Sequence, residues 1–251
     1  TGHGSAAVTA AAQDFDPDIQ TVEQAEQLGT GHAVNQCAAA LADFEGTAVV
    51  MYGDTPFVSP DTLRDMVQAS HSHDVVVLGF EAEDPGRYGR LKLADGELKA
   101  IVEYKDATDE ERAITLCNSG VIACDAKLLF SLLDGVTNKN ASGEYYLTDI
   151  VALARMRGHS AGVVTCPEAE TLGINARAEL ARADQLFQTR TRLAMMENGV
   201  TLIDPDSIYF AHDTVVGRDA VVEPHVFFGP GVSVESGARV RAFSHLEGCH
   251  I

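Results

Sequence analysis

The chain has 251 residues, 45% of them hydrophobic and 22% charged, enough apolar material to bury a full core in one large domain or two smaller ones. A formal net charge of -19 argues against an electrostatic hold on nucleic acid or on an anionic membrane, since both need a basic face. Five scattered cysteines (Cys37, Cys117, Cys124, Cys166, Cys249) form no Cys-x-x-Cys pair and no apolar run reaches membrane-spanning length, so reduced thiols in a cytoplasmic protein are expected, with neither a disulfide framework nor a zinc site.

The chain opens on Thr1-Gly2-His3-Gly4, with neither Met nor a signal-like stretch, which suggests a start inside a longer gene product. Up to about residue 175, short apolar runs alternate with helical patterns. Thr47 to Tyr52 reads as a buried strand, Pro60 to Gln68 as a helix capped by Ser59 with proline at its first position, and Val75 to Phe80 as a second strand. Buried strands with crossover helices predict an α/β fold with a mostly parallel sheet. Leu91 to Val102, broken by Asp95-Gly96, predicts a β-hairpin. A helix is expected from about Ala178 to Glu197, with Leu180, Ala183, Phe187 and Ala194 on one face and Asn198-Gly199 as its stop. It would link two domains, giving residues 1–177, a linker helix over 178–199, and 200–251.

Beyond that helix the period becomes six. Phe210, Val216, Val222, Phe228, Val234, Val240 and Leu246 follow one another at this spacing without a miss. Neither an amphipathic helix nor a simple alternating strand has that period. It is the hexapeptide repeat of a parallel β-helix, whose neighbouring coils bury one another's apolar face, against the alternative of an irregular antiparallel region. Three six-residue sides make a coil, so a little over two coils are expected, ending at Ile251 in mid-pattern.

Polar residues punctuate the first region. Gln24 to Ala33 sets Gly29, Thr30 and Gly31 at a helix start, where backbone can approach a ligand and the Gln24 amide can match a uracil edge; a plain helix start reads the same way. Tyr52-Gly53-Asp54 ends the first strand with an acid that can hold magnesium or cap a turn. Tyr88-Gly89-Arg90, Glu103 after Ile101-Val102, and Asn118 with Gly120 at the head of Val121 to Cys124 offer acceptors, amides and close backbone for a sugar. Gly143 to Asp149 is an aromatic and acidic helix start. Asn175 in Gly173-Ile174-Asn175 is a neutral oxygen donor for the same metal as Asp54, or a turn residue.

Read in order, Gln-Ala-Glu-Gln-Leu-Gly-Thr-Gly-His-Ala, Tyr-Gly-Asp-x-Pro, Tyr-Gly-Arg, Val-Glu-x-Lys-Asp-Ala-Thr, Asn-x-Gly, Gly-Glu-Tyr-Tyr-Leu-Thr-Asp-Ile and Gly-x-Asn, followed by the hexapeptide repeat, resemble the bacterial bifunctional N-acetylglucosamine-1-phosphate uridylyltransferase/glucosamine-1-phosphate acetyltransferase family. The resemblance covers essentially the whole chain. It implies a Rossmann-like nucleotidyltransferase domain, truncated at its start, then a linker helix and the first coils of a left-handed parallel β-helix. It also implies that Gln24, Gly29 and Thr30 meet uridine and that Tyr52 and Gly53 line the nucleotide-sugar cleft. Gly89, Glu103, Asn118, Tyr146 and Thr148 would surround N-acetylglucosamine, and Asp54 and Asn175 would bind Mg2+, with Asp54 catalytic.

The implied reaction joins UTP and N-acetylglucosamine 1-phosphate into UDP-N-acetylglucosamine and pyrophosphate, in a homotrimer that also acetylates glucosamine 1-phosphate. Departures inside the motifs are mild, such as Thr55 where the family often has valine. The family's opening Leu-x-x-Gly-x-Gly-Thr-Arg-Met loop and Pro-Lys pair are not in the 251 residues, nor are its later coils, so this stretch by itself is expected to be inactive. Another sugar-phosphate nucleotidylyltransferase and a non-catalytic nucleotide-sugar sensor are the competing readings.

Overall fold

A computed structural model describes residues 1–94 and 96–251 in two units, Thr1–Gly173 and Ile174–Ile251. In the first, apolar runs become strands and helices form between them, α3, α4 and α5 among them with side-chain caps. Its elements are α1 (Ser5–Phe15), α2 (Thr30–Asn35), β1 (Thr47–Val50), α3 (Pro60–Ala69), β2 (Val75–Glu81), β3 (Arg90–Ala94), β4 (Glu97–Val102), α4 (Asp109–Arg112), β5 (Leu116–Asp125), α5 (Ala126–Leu133), α6 (Asp149–Met156) and β6 (Ala161–Thr165). Ser59 caps α3 as its sequence predicts, its Oγ accepting from Thr62 N–H at 3.1 Å, and Pro60 needs no donor there. Asp125 caps α5 in the same way, accepting from Leu128 N–H at 3.0 Å.

The strands form a six-stranded sheet in the order β4-β3-β5-β2-β6, with β1 on β5. Here the structure corrects the expectation of a mostly parallel sheet. β1, β2 and β3 all pair antiparallel with β5, β3 pairs antiparallel with β4, and β2·β6 is this sheet's parallel ladder among the described residues. The β1–α3–β2 crossover is therefore present, but it joins strands that flank a reversed neighbour. An apolar run such as Val121-Ile122-Ala123-Cys124 is buried on both faces whichever way the strand runs, so its composition carries no direction.

One face of the sheet packs on α5 and α6 through Val75, Val77, Ile122, Leu129, Leu132, Ile150 and Val151, and the other on α3 through Met66, Val76, Leu78 and Ala123. The predicted hairpin is β3 and β4, with Gly96 in the left-handed region at φ 77°; Asp95, the other half of the predicted turn, lies outside the described residues. β5 does not run evenly. Val77 pairs with Ile122 but Gly79 pairs with Asn118, so Ser119-Gly120-Val121 bulges out opposite Leu78. Ser119 patches the gap, its Oγ donating to Leu78 O at 2.8 Å and accepting from Val121 N–H at 3.2 Å.

The second unit holds α7 (Arg177–Glu197), β7 (Thr201–Leu202) and six further two-residue strands: β8 (Val215–Val216), β9 (Val221–Val222), β10 (Phe227–Phe228), β11 (Ser233–Val234), β12 (Arg239–Val240) and β13 (His245–Leu246). They pair in parallel as β7-β9-β12, β8-β11 and β10-β13. Val215 meets Ser233, Val221 meets Arg239 and Phe227 meets His245, each three six-residue repeats on. The second residue of each strand from β8 to β13 is one that the six-residue count singled out. From Val216 to Val240 these residues are buried, and Phe210 and Phe228 stack with centroids 5.0 Å apart. Three residues after them the backbone turns left-handed at Asp219, His225, Gly231, Gly237 and Phe243.

The predicted helix at 178–197 is present, but its buried face differs from the apolar one read from the sequence. Ala183 is buried, whereas Leu180 and Ala194 are exposed, and Gln188 and Arg192 are buried instead. The Gln188 amide donates to Phe210 O and accepts from Phe210 N–H, both at 2.9 Å, and Arg192 Nε donates to Ile208 O at 2.8 Å. These polar side chains satisfy backbone that would otherwise be buried without partners. Gln188→Ala is therefore expected to cost about 1–3 kcal/mol by orphaning both Phe210 backbone groups, read as a lower urea midpoint; an unchanged midpoint would remove this role.

Candidate nucleotide-sugar cleft

The site is built on loops held at the ends of β1, β4 and β5. Past β1 the chain turns at Tyr52, whose carbonyl accepts from Thr55 N–H at 3.3 Å and from Thr55 Oγ1 at 3.1 Å, leaving Gly53 and Asp54 exposed at the rim. The Tyr52 ring lies over Gly120 so closely that a Cβ there would sit 2.0 Å from Tyr52 Cε2, and Gly120 has φ 92°. Asn118 lies inside β5 rather than ahead of it; its N–H donates to Gly89 O at 2.8 Å and its Oδ1 accepts from Gly120 N–H at 3.0 Å. The bulge thus hands one wall of the cleft an amide and a stretch of bare backbone.

The opposite wall comes from two segments lying side by side. Tyr145 N–H donates to Leu28 O and Gly31 N–H donates to Tyr145 O, both at 2.8 Å. Leu147 N–H donates to Thr30 Oγ1 at 3.0 Å. Contact is close enough that a Cβ on Gly29 would come within 2.6 Å of Tyr145 O, and its φ of 113° suits glycine alone. Gln24 closes this end, donating through Nε2 to Gly29 O at 3.1 Å, with His32 Nδ1 at 3.0 Å from the same nitrogen.

Glu103 follows β4 directly, and its Oε1 accepts from Thr148 Oγ1 at 3.0 Å. Gly89 packs against it, with room for a Cβ only at 3.4 Å from Glu103 Oε1. Burial pushes the Glu103 carboxyl above the usual glutamate range; the Thr148 hydroxyl opposes this, and Asp106 and Asp149 reinforce it. Burial and then Asp106 raise Asp149 in the same sense. The Tyr52 phenol is also raised, first by burial, with a hydrogen bond from Thr30 opposing and the charges of Glu103 and Asp54 adding.

One cleft of about 460 Å³ gathers eight of the expected residues: Thr30, Tyr52, Asp54, Gly89, Glu103, Asn118, Tyr146 and Thr148. Gln24 and Gly29 line a neighbouring cleft of about 620 Å³ that shares Thr30 and Tyr52 and runs beside β1 past Ala48, Val50, Leu41 and Leu129. Gly53 lines neither described cleft, and Asn175 belongs to the second unit, where its N–H bonds the Glu179 carboxylate ahead of α7. Sequence reasoning passed over Arg87, Glu144 and Ser119, which also line the smaller cleft. Arg87, beside the quoted Tyr-Gly-Arg, carried the only available signal, a cation in an acidic chain.

Among the described residues no three His, Cys, Asp or Glu side chains cluster as a metal site. Magnesium does not require such a cluster, since it is commonly held by one or two carboxylates with phosphate and water completing the shell. Asp54, exposed on the cleft wall, has the donor chemistry for that arrangement. No helix among the described residues is long and apolar enough to cross a membrane.

The sheet, its reversed β5 and the loops around the cleft define a Rossmann-like mixed α/β nucleotidyltransferase fold. A nucleoside-diphosphate-sugar pyrophosphorylase from Vibrio cholerae RC9 superposes over 71% of this chain and 75% of its own with a TM-score of 0.52 at 15% identity. HddC from Yersinia pseudotuberculosis, complexed with GMP-PN, does so over 74% and 76%, also at 0.52, with 16% identity. At these identities the likeness establishes the fold alone. Residues 2–134, just over half of the chain, match the MobA-like NTP transferase domain, and the chain belongs to that family. It is homologous along its whole length to bacterial proteins called bifunctional protein GlmU, 64% identical to that of Cereibacter sphaeroides over 250 residues and 59% to that of Jannaschia sp. over 251. The chain spans about half of these relatives, 55% of each.

The raised Glu103 carboxyl has a measurable consequence. A carboxyl raised in the folded state contributes stability that is complete below the unfolded value, about 4.3, and is lost as pH rises through the folded one. Between about pH 4 and pH 7 the wild-type chain should lose stability relative to Glu103→Gln, which cannot ionise. Denaturation midpoints of the two proteins that stay parallel across that range would remove the burial effect.

Proposed function

We propose that this chain carries the uridylyltransferase part of a cytoplasmic, homotrimeric bifunctional enzyme, transferring uridylyl from UTP to N-acetylglucosamine 1-phosphate and releasing pyrophosphate. The supporting observation is the convergence of Tyr52, Asp54, Gly89, Glu103, Asn118, Tyr146 and Thr148 on one cleft, in a chain homologous over its whole length to GlmU proteins. In this reading residues 1–177 form the nucleotidyltransferase domain, 178–199 the linker helix, and 200–251 the first coils of a left-handed parallel β-helix. The three-repeat offset of the parallel ladders and the buried residue at every sixth position support the last of these.

The roles follow from side-chain chemistry. With its nitrogen committed to Gly29 O, the Gln24 amide offers its oxygen to the N–H on a uracil edge. Glu103 and Asn118 accept from and donate to sugar hydroxyls, while Gly89 and Gly120 let the ring approach backbone. Tyr52 lines the nucleotide-sugar cleft with Gly53 beside it at the rim, and Tyr146 and Thr148 close the sugar side. Asp54 would hold Mg2+ through its carboxylate. When bound, that ion supplies charge stabilisation to the phosphates during in-line displacement.

Two measurements test this. At the full encoded length, pyrophosphate release from UTP should be fast with N-acetylglucosamine 1-phosphate and slow with glucose 1-phosphate, and Asp54→Ala should lower it by at least about a hundredfold, the scale of losing one transition-state electrostatic partner. Equal rates for the two sugars, or near-normal turnover by Asp54→Ala at saturating magnesium, would overturn the reading. In calorimetry, Glu103→Ala and Asn118→Ala should weaken UDP-N-acetylglucosamine more than UTP, by about 1–3 kcal/mol each. Equal losses for both ligands would move these residues out of the sugar pocket.

A further inference from the structure

The Gln24 side-chain amide is held at its nitrogen and open at its oxygen. Nε2 donates to Gly29 O at 3.1 Å and lies 3.0 Å from His32 Nδ1, whereas Oε1 has no hydrogen bond among the described residues, and Gln24 is half-buried in the wall of the larger cleft. Chemistry fixes which end of the amide faces inward. A backbone carbonyl only accepts, so the atom beside Gly29 O is the NH2 group, and the same group then meets the His32 ring. The ring nitrogen facing it accepts in turn, which puts the hydrogen of a neutral His32 on Nε2. His32 is itself fixed in α2, whose Gly31 N–H donates to Tyr145 O at 2.8 Å. Gln36, one turn further on, donates through Nε2 to His32 O at 3.0 Å and comes within 3.2 Å of His32 Nε2. A neutral imidazole has one acceptor nitrogen for these two amides. Gln24 holds it, because Gly29 O keeps the Gln24 nitrogen in place, whereas Gln36 at the end of α2 can turn its amide and offer oxygen to the Nε2 hydrogen.

We infer that His32 is a positioning residue for base specificity, its Nδ1 holding the Gln24 amide nitrogen inward so that the amide oxygen is presented to the base and uracil is selected over cytosine. The inference rests on the functional reading above, in which Gln24 meets uracil. Uracil offers N–H at N3, a donor for the amide oxygen, whereas cytosine has a bare acceptor nitrogen there and two acceptors repel. An amide free to turn over would offer its NH2 to cytosine as readily as its oxygen to uracil. Turned over, Gln24 would set its oxygen against both Gly29 O and His32 Nδ1; without the ring nitrogen, one neutral hydrogen bond is left to oppose the turn. Selectivity of this kind depends on repelling the wrong base as much as on accepting the right one.

The test compares His32→Leu, which removes the acceptor, with His32→Asn, whose Oδ1 sits at the δ position of the ring nitrogen and accepts from the same amide. Dissociation constants for UMP and CMP are measured by calorimetry at the full encoded length, with circular dichroism and melting to establish that each variant is folded. His32→Leu should lower the preference for UMP over CMP about tenfold, the scale of one lost hydrogen bond, and His32→Asn should keep it within about twofold of wild type. Ring-nitrogen chemical shifts of His32 in the 251-residue chain, in mildly alkaline solution, should place the hydrogen on Nε2, a readout that needs neither ligand nor variant. An unchanged preference in His32→Leu, an equal weakening of both nucleotides, or a ring hydrogen on Nδ1 would overturn the inference. A wild-type protein that binds UMP no better than CMP, with the hydrogen on Nε2, would instead overturn the reading of Gln24 as a uracil contact.

Discussion

The bulge in β5 is the constraint on which the cleft depends. β5 is flanked by β1 and β2 along Ile122–Asp125 and by β2 and β3 near Cys117, so it cannot leave the sheet at either end. The three residues opposite Leu78 must go somewhere, and they bow outward to put Gly120 beneath Tyr52 and turn Asn118 back on Gly120 N–H. The ladder bonds lost there are offset by Ser119, which both donates and accepts across the gap. A regular strand of the same residues would alternate Asn118 and Ser119 between the two faces and give the cleft neither the bare backbone nor the amide.

The electrostatics of the cleft suit a ligand that is neutral at one end. The chain carries a net charge of -19, and the Glu103 end of the cleft gathers Glu103, Asp106 and Asp149, with Glu103 and Asp149 pushed upward by burial first. A half-buried carboxyl beside a hydroxyl such as Thr148 is a strong partner for sugar hydroxyls and an unfavourable neighbour for phosphate. Arg87, the one cation lining the smaller cleft, is exposed at its edge. Any anionic group held in this cleft accordingly needs local positive charge against the surrounding field.

What the sequence made legible was set by which physical signal each element leaves. Burial leaves a composition signal, so β2 and the β3–β4 hairpin were readable, as was Ser59-Pro60 at the head of α3, while β1 is a strand as expected but only half-buried. Strand direction leaves none, which is why the reversal of β5 went unseen. For the cleft, eight residues could be assembled only by resemblance, since each is by itself an ordinary turn, cap or strand-end residue. Residues that act through other residues left less: nothing in Gly29-Thr30-Gly31 reveals that Thr30 Oγ1 meets Leu147 N–H more than a hundred residues later. Arg90 is a comparable case. It stood in a quoted motif, yet it is almost wholly buried and donates to the carbonyls of Gly86 and Tyr88 and to Arg112 O, shaping the loop that presents Gly89.

α7 failed for a different reason, one that concerns how a stacked repeat begins. Each two-residue strand from β8 onward satisfies its backbone against the strand three repeats away, as Val215 does with Ser233, so the earliest strands have a partner on one side only. At Phe210 the missing partner is replaced by Gln188, whose amide bonds both Phe210 N–H and Phe210 O as another backbone would, and Arg192 does the same for Ile208 O. A helix that stands in for a strand must turn amide and guanidinium groups inward, and its apolar residues then cannot all share the buried face. Leu180 lies outside and Gln188 inside because open backbone costs more to bury than a leucine costs to expose. Hydrophobic periodicity, which counts only apolar side chains, reads such a helix from the wrong side.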